Sequence, residues 1–237
     1  MIHVQKEKSD RRLSALTAGI SLIVMALTAF FAYGYAHGSL VVQGDPKATW
    51  DHILSSEMLF KAEILGWLII LICDIVVAWA FYIYLRPIHK WMSLLGACFR
   101  LVYSAVLGIA LLNLIFAMQL SYNPSYLSAF TLDQLQANVM LFLEVFDTVW
   151  SIGLVIFGGH LLIVGYLALK SDSIPKIIGL LMLLASIGYI VIHLGSALLP
   201  QYDKILTILD YVFIVPMTAG ELGFGLWLLF RGWKSVS

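Results

Sequence analysis

Apolar residues in this chain fall into six long runs, and polar residues gather in the short segments between them. The runs cover about 13–35, 58–85, 91–118, 138–169, 174–199 and 205–230. Each is long enough to cross a hydrocarbon layer of about 30 Å, which takes about 20 apolar residues at 1.5 Å per residue. Inside a bilayer no water is at hand for backbone N–H and C=O groups, so a spanning segment must close its hydrogen bonds internally, as a helix does. The pattern predicts an all-α, polytopic integral membrane protein. It has a single transmembrane domain over 1–237, a six-helix transmembrane bundle, and a short basic segment, 1–12, ahead of the first span.

The breaks between runs carry signals of their own. Arg86-Pro87-Ile88-His89-Lys90 lies between spans two and three and predicts a tight antiparallel hairpin, because proline ends one helix and resets the chain. Ser173 ahead of Ile174-Pro175 reads as the N-cap and first turn of span five. Thr131-Leu132-Asp133-Gln134 has capping-box spacing, so span four starts within the preceding loop. Its full run then exceeds the bilayer and is expected to protrude, tilt or break near Asn138. Trp50, Ile53, Leu54 and Met58 recur at helical spacing, which fits either a short helix at the outer interface or an extension of span two. Pro216 is expected to kink span six. Ser14, Thr17, Ser21 and Thr28 in span one, and Gly158, Gly159 and Gly165 in span four, suit close helix packing.

Composition sharpens the class. Hydrophobic residues make up 61% of the 237 and charged residues 12%, against about 45–50% and about 25% in soluble domains. A formal net charge of zero gives no case for nucleic-acid binding. Cys73 and Cys98 fall within apolar runs and read as buried free thiols, without the spacing of a zinc site.

Lysine and arginine alternate in density from one connecting segment to the next. Lys6, Lys8, Arg11, Arg12, Arg86, Lys90, Lys170, Lys176, Arg231 and Lys234 mark one side, and Lys47, Lys61 and Lys204 the other. The positive-inside rule then places both termini in the cytoplasm. The basic start followed by an apolar run resembles a signal peptide. That run exceeds the usual h-region of about 7–15 residues and has no A-x-A site, so it reads as a retained anchor.

Within the spans stand seven ionisable residues: Asp74, Arg100, Glu144, Asp147, His193, Asp210 and Glu221. Each costs about 2.5–3.5 kcal/mol at a bilayer centre, so such groups must pair, stay neutral or line a wet cavity. By depth Asp74, Arg100 and Glu221 form an inner set. Arg100 is expected to pair with Asp74, Glu221 or both as an internal ion-pair lock, fixed or switching. Glu63, Glu144, Asp147, His193 and Asp210 form an outer set with only Lys61 nearby as a strong base. Glu144 and Asp147 share one side of span four, and Ser186, Tyr189, His193 and Ser196 form a stripe on span five. Converging faces would make a polar pocket with Glu144, Asp147, His193 and Asp210 as ligand- or proton-binding groups, and with Glu63, His160 and Tyr189 as further polar candidates. The competing reading keeps Glu63, Glu144 and Asp210 hydrated at headgroup level.

The run W-S-I-G-L-V-I-F-G-G-H-L-L-I-V-G-Y-L-A-L-K over 150–170 is followed by Ser173-Ile174-Pro175-Lys176, Gly188-Tyr189, Gly220-Glu221 and Leu226-Trp227-Leu228-Leu229. With Phe99-Arg100-Leu101, these residues resemble the bacterial membrane-protein family called domain of unknown function 4386. The resemblance implies a multi-span protein of the bacterial plasma membrane and supplies no activity. By motif match the family's polar marks fall on Arg100, Asp147, His160 and Glu221.

Three function classes follow. The first is binding or translocation of a small cationic or protonatable solute, with or without coupling to protons. The second is an intramembrane metal-dependent hydrolase acting on a lipid, with Glu144, Asp147, His193 and Asp210 as the ligands it would use. No G-x-S-x-G or H-E-x-x-H motif supports an enzyme. The third is a non-catalytic membrane partner whose charges fix packing. The bilayer is the predicted partner, a six-helix transporter is expected to act as a homo-oligomer, and the cofactor and the solute stay unassigned.

Overall fold

Residues 2–232 are described by the computed structural model; Lys234, counted in the basic pattern above, lies outside them. Helix α1 (Ile2–Ala29) widens into a π-helical stretch, Phe30–His37, and closes in a short turn, α2 (Gly38–Leu40). Then come α3 (Pro46–Ser55), α4 (Glu57–Leu85), α5 (Lys90–Tyr122), α6 (Pro124–Ala129), α7 (Leu132–Lys170), α8 (Lys176–Leu198) and α9 (Asp203–Trp227), which runs into a second π-helical stretch, Leu228–Gly232. No β-strand occurs among the described residues. Among the described residues six stretches are long and apolar enough to cross a membrane: Glu7–Leu40, Glu57–Leu85, Lys90–Tyr122, Leu132–Lys170, Lys176–Leu198 and Lys204–Gly232. They carry many large apolar side chains on their exposed faces, among them Ile72, Phe116, Leu162 and Val215. Such a coat is at home in lipid and would be costly in water. The chain is an all-α, multi-span membrane protein.

Local chemistry accounts for several element ends. Asp45 caps α3 by accepting from the Ala48 N–H at 2.9 Å, and Pro46 fills its first turn. Thr131 and Gln134 bond reciprocally at the start of α7, at 3.0 and 3.4 Å. Two details differ from the sequence reading, the start of α8 and the exposure of the cysteines, and two choose among alternatives it left open, the course of α7 at Asn138 and the nature of α3. No break occurs near Asn138: α7 continues for 39 residues, and the Asn138 amide donates to the Gln134 carbonyl within the same helix at 2.7 Å. Ser173 is not the N-cap of α8, which begins at Lys176 after Pro175. Instead Ser171 Oγ accepts from the N–H groups of Ser173 and Ile174. Helix α3 is a helix of its own, separated from α4 by the non-helical Ser56, with Trp50 and Ile53 buried. Cys98 is exposed and Cys73 half-buried, both as free thiols.

The fold divides into two compact units. The first comprises Met1–Val24, Ile72–Ala105 and Ser151–Ser237, and the second Met25–Leu71 and Val106–Trp150. In the first, Phe81, Tyr84, Leu161, Leu167, Met182 and Phe224 are core residues. Helices α7 and α8 touch there backbone to backbone, since a Cβ on Gly165 would stand 3.0 Å from the Gly179 carbonyl. Arg11 of α1 donates through Nε to the Tyr84 carbonyl at 3.1 Å and lies over the Tyr84 ring. The Tyr84 hydroxyl donates to the Gly232 carbonyl at 3.3 Å. In the second unit Phe60, Trp67, Leu107, Leu114, Leu143 and Phe146 are core residues, and Tyr122 bonds the Ile53 carbonyl at 2.7 Å.

Candidate functional site: two buried ionic centres

The second unit builds its polar centre on the π-helical stretch. A π turn holds an extra residue, which rotates the side chains beyond it relative to a regular α-helix. His37 ends that stretch and is buried. Its Nδ1 lies 2.7 Å from Glu63 Oε1 on α4. Its Nε2 lies 3.8 Å from Asp147 Oδ2 on α7. Aromatic rings enclose the three groups. Tyr33 stacks on His37 at 5.3 Å, Phe146 approaches it at 5.9 Å, and Trp67 meets Trp150 edge-on at 4.8 Å.

Bonding at this centre is incomplete. Among the described residues, His37 Nε2, Glu63 Oε2 and Asp147 Oδ1 are buried without a hydrogen bond of ordinary length and angle. Buried polar atoms are nearly always bonded, so a small polar species at the cluster would satisfy several of them together. No Lys or Arg forms an ion pair with Glu63 or Asp147 among the described residues. Lys61 is paired with Glu57. The sequence of the second unit holds seven carboxylates against Lys47 and Lys61 alone. A separate pocket of about 370 Å³ is lined by Lys61, Met118, Gln119, Tyr122 and Asn123 and includes none of these groups.

The first unit builds a different centre around Arg100, which is fully buried. Its Nη2 stands 2.6 Å from Asp74 Oδ1. Its Nη1 donates to Glu221 Oε1 at 2.5 Å. The same Nη1 stands 3.2 Å from His160 Nε2. His160 Nδ1 lies 2.9 Å from the Gly96 carbonyl. A carbonyl only accepts, so Nδ1 carries the His160 proton and Nε2 accepts from Arg100. Phe81 and Phe157 flank the guanidinium at 5.8 and 5.3 Å, within cation–π range. The result is one cation facing two carboxylates inside an apolar shell.

The remaining candidates are placed as follows. His193 Nδ1 lies 2.9 Å from Ser151 Oγ, and the His193 ring stacks on Tyr189 at 5.9 Å. Glu144 and Asp210 are exposed. Glu144 and Asp147 belong to the second unit, and His193 and Asp210 to the first. Among the described residues no group of three or more His, Cys, Asp or Glu is arranged to hold a metal ion. His37 is the residue the sequence reading does not nominate. It stands two positions past the expected end of span one, and its one signal is the aromatic run F-F-A-Y-G-Y-A-H leading to it.

Comparison with known proteins gives two findings. The family model described as domain of unknown function, DUF4386, matches residues 17–232. An uncharacterized protein of Archaeoglobus fulgidus is 32% identical over 174 residues, which cover 73% of this chain and 85% of that protein. No solved structure matches.

Proposed function

The chain belongs to the DUF4386 family, and on that premise we propose that it binds a small cationic or protonatable solute at the Glu63–His37–Asp147 centre. One observation carries the reading: two carboxylates share a single imidazole, with no lysine or arginine paired to either among the described residues. An uncompensated buried carboxylate is costly, and a bound cation or proton relieves that cost. The surrounding rings of Tyr33, Trp67 and Trp150 add a face that favours positive charge. Asp147, partly exposed, is the entry group in this reading, and Glu63, fully enclosed, the inner acceptor. The Asp74–Arg100–Glu221 set serves as the internal lock, since its central cation is already matched by carboxylates.

Trp67 and Trp150 supply a direct assay. The emission of the detergent-purified protein, to which these two contribute among seven tryptophans, is titrated with sodium, potassium, ammonium and methylammonium chloride, using choline chloride as the ionic-strength control. A saturable change with at least one ion, abolished in Asp147→Asn, is the expected result. A flat response to all four, with no flux of them into vesicles carrying the protein, sinks the reading.

A further inference from the structure

We propose that His37 relays protons between Asp147 and Glu63; this rests on the solute-binding reading for its location but requires no solute. The imidazole stands between two acids of different α-helices and presents a different nitrogen to each. Nδ1 is at hydrogen-bonding distance from Glu63, at 2.7 Å. Nε2 is 3.8 Å from Asp147, so that gap must close by about 1 Å, or hold one water, before a proton crosses. The two acids also differ in access: the Asp147 side chain is 32% exposed and the Glu63 side chain 0%. A buried acid beyond a histidine, with a partly exposed acid before it, is the order of groups a proton path needs.

The step balances without any other reactant. In the starting state Asp147 carries a proton, His37 is neutral with its proton on Nδ1, and Glu63 is ionised. The Asp147 O–H bond breaks as an Nε2–H bond forms, and the Nδ1–H bond breaks as an O–H bond forms on Glu63. One proton has moved from Asp147 to Glu63, and the imidazole is left as its other tautomer. Returning the proton, or flipping the ring, resets it. The groups facing His37 are Glu63 from α4, Asp147 and Phe146 from α7, and Tyr33 from its own helix. Lys61 is held by Glu57, and Glu144 is exposed. The orphaned Asp147 Oδ1 and Glu63 Oε2 give each acid a second oxygen on which a proton can sit.

The test is nitrogen-15 nuclear magnetic resonance of the full chain in micelles, with labelled histidine. His37 is assigned by difference against His37→Gln. If that chain does not fold, it is assigned by substituting the other histidines singly. In the unsubstituted chain the relay gives both tautomers and an Nε2 proton that exchanges rapidly with water. Asp147→Asn slows that exchange by about a hundredfold, the low end for a positioned proton-transfer group, and Glu63→Gln leaves a single tautomer. A histidine that only fills space would be unmoved by Asp147→Asn. Unchanged exchange in Asp147→Asn, or unchanged tautomers in Glu63→Gln, overturns the proposal. Should neither variant fold, a slowly exchanging Nε2 proton in the unsubstituted chain overturns it. A silent cation titration with these exchange results intact removes the solute and keeps the relay, and the reverse outcome does the opposite.

Discussion

In the first unit one guanidinium meets Asp74, Glu221 and His160, so the charge balance of that centre rests on Arg100. Removing one member of a buried ion pair leaves the others uncompensated and costs about 3–5 kcal/mol. Arg100→Met is expected to destabilise the purified protein by about that much, and Arg100→Lys to recover only part, because an ammonium lacks the two-pronged fork that reaches Asp74 and Glu221 together. Thermal unfolding followed by circular dichroism measures both, and an unchanged transition in Arg100→Met removes the lock. The charge cost of an arginine inside an apolar run made this residue legible in the sequence, and Asp74 and Glu221 were its nearest candidates by depth. His37 was not legible. A histidine just beyond an apolar run reads as a boundary residue, and the π turn that carries it inward leaves no pattern of hydrophobic spacing.

That π turn belongs to one element, Phe30–His37, and a deletion tests it there. Deleting Gly34 from Phe30–His37 takes out the residue that the widened turn absorbs, so the stretch can close as a regular α-helix with His37 still facing Glu63. The expected result is unchanged helix content with the tryptophan response kept, read by circular dichroism and emission on one sample. A lost response would mean that the stretch holds no extra residue, since a deletion from a regular α-helix swings the following side chains by about 100°. Element identity follows closely from the apolar runs, because a spanning segment has few ways to bond its backbone. Where the reading failed, a local bond took precedence over composition. Ser171, not Ser173, gathers the N–H groups before α8, while α7 runs through Asn138 without the break that was one of the three outcomes expected there.

At the scale of the molecule, charge is divided unevenly between the two units. Two of the 14 lysines and arginines lie in the second, and the rest belong to the first. With the alternation of basic segments, we propose that both termini face the cytoplasm. A fluorescent protein fused after residue 237 is expected to glow and alkaline phosphatase at the same point to stay inactive; active phosphatase reverses the orientation. Tyr84 has a consequence for how the chain is made. The first helix and the stretch that follows the last one both fasten to it, at its carbonyl and its hydroxyl. While the ribosome is still delivering α9, the early clasp between Arg11 and Tyr84 can form and its later counterpart cannot. The bond between Tyr84 and Gly232 is therefore among the last contacts of this unit to form, after the stretch that follows α9 has been delivered.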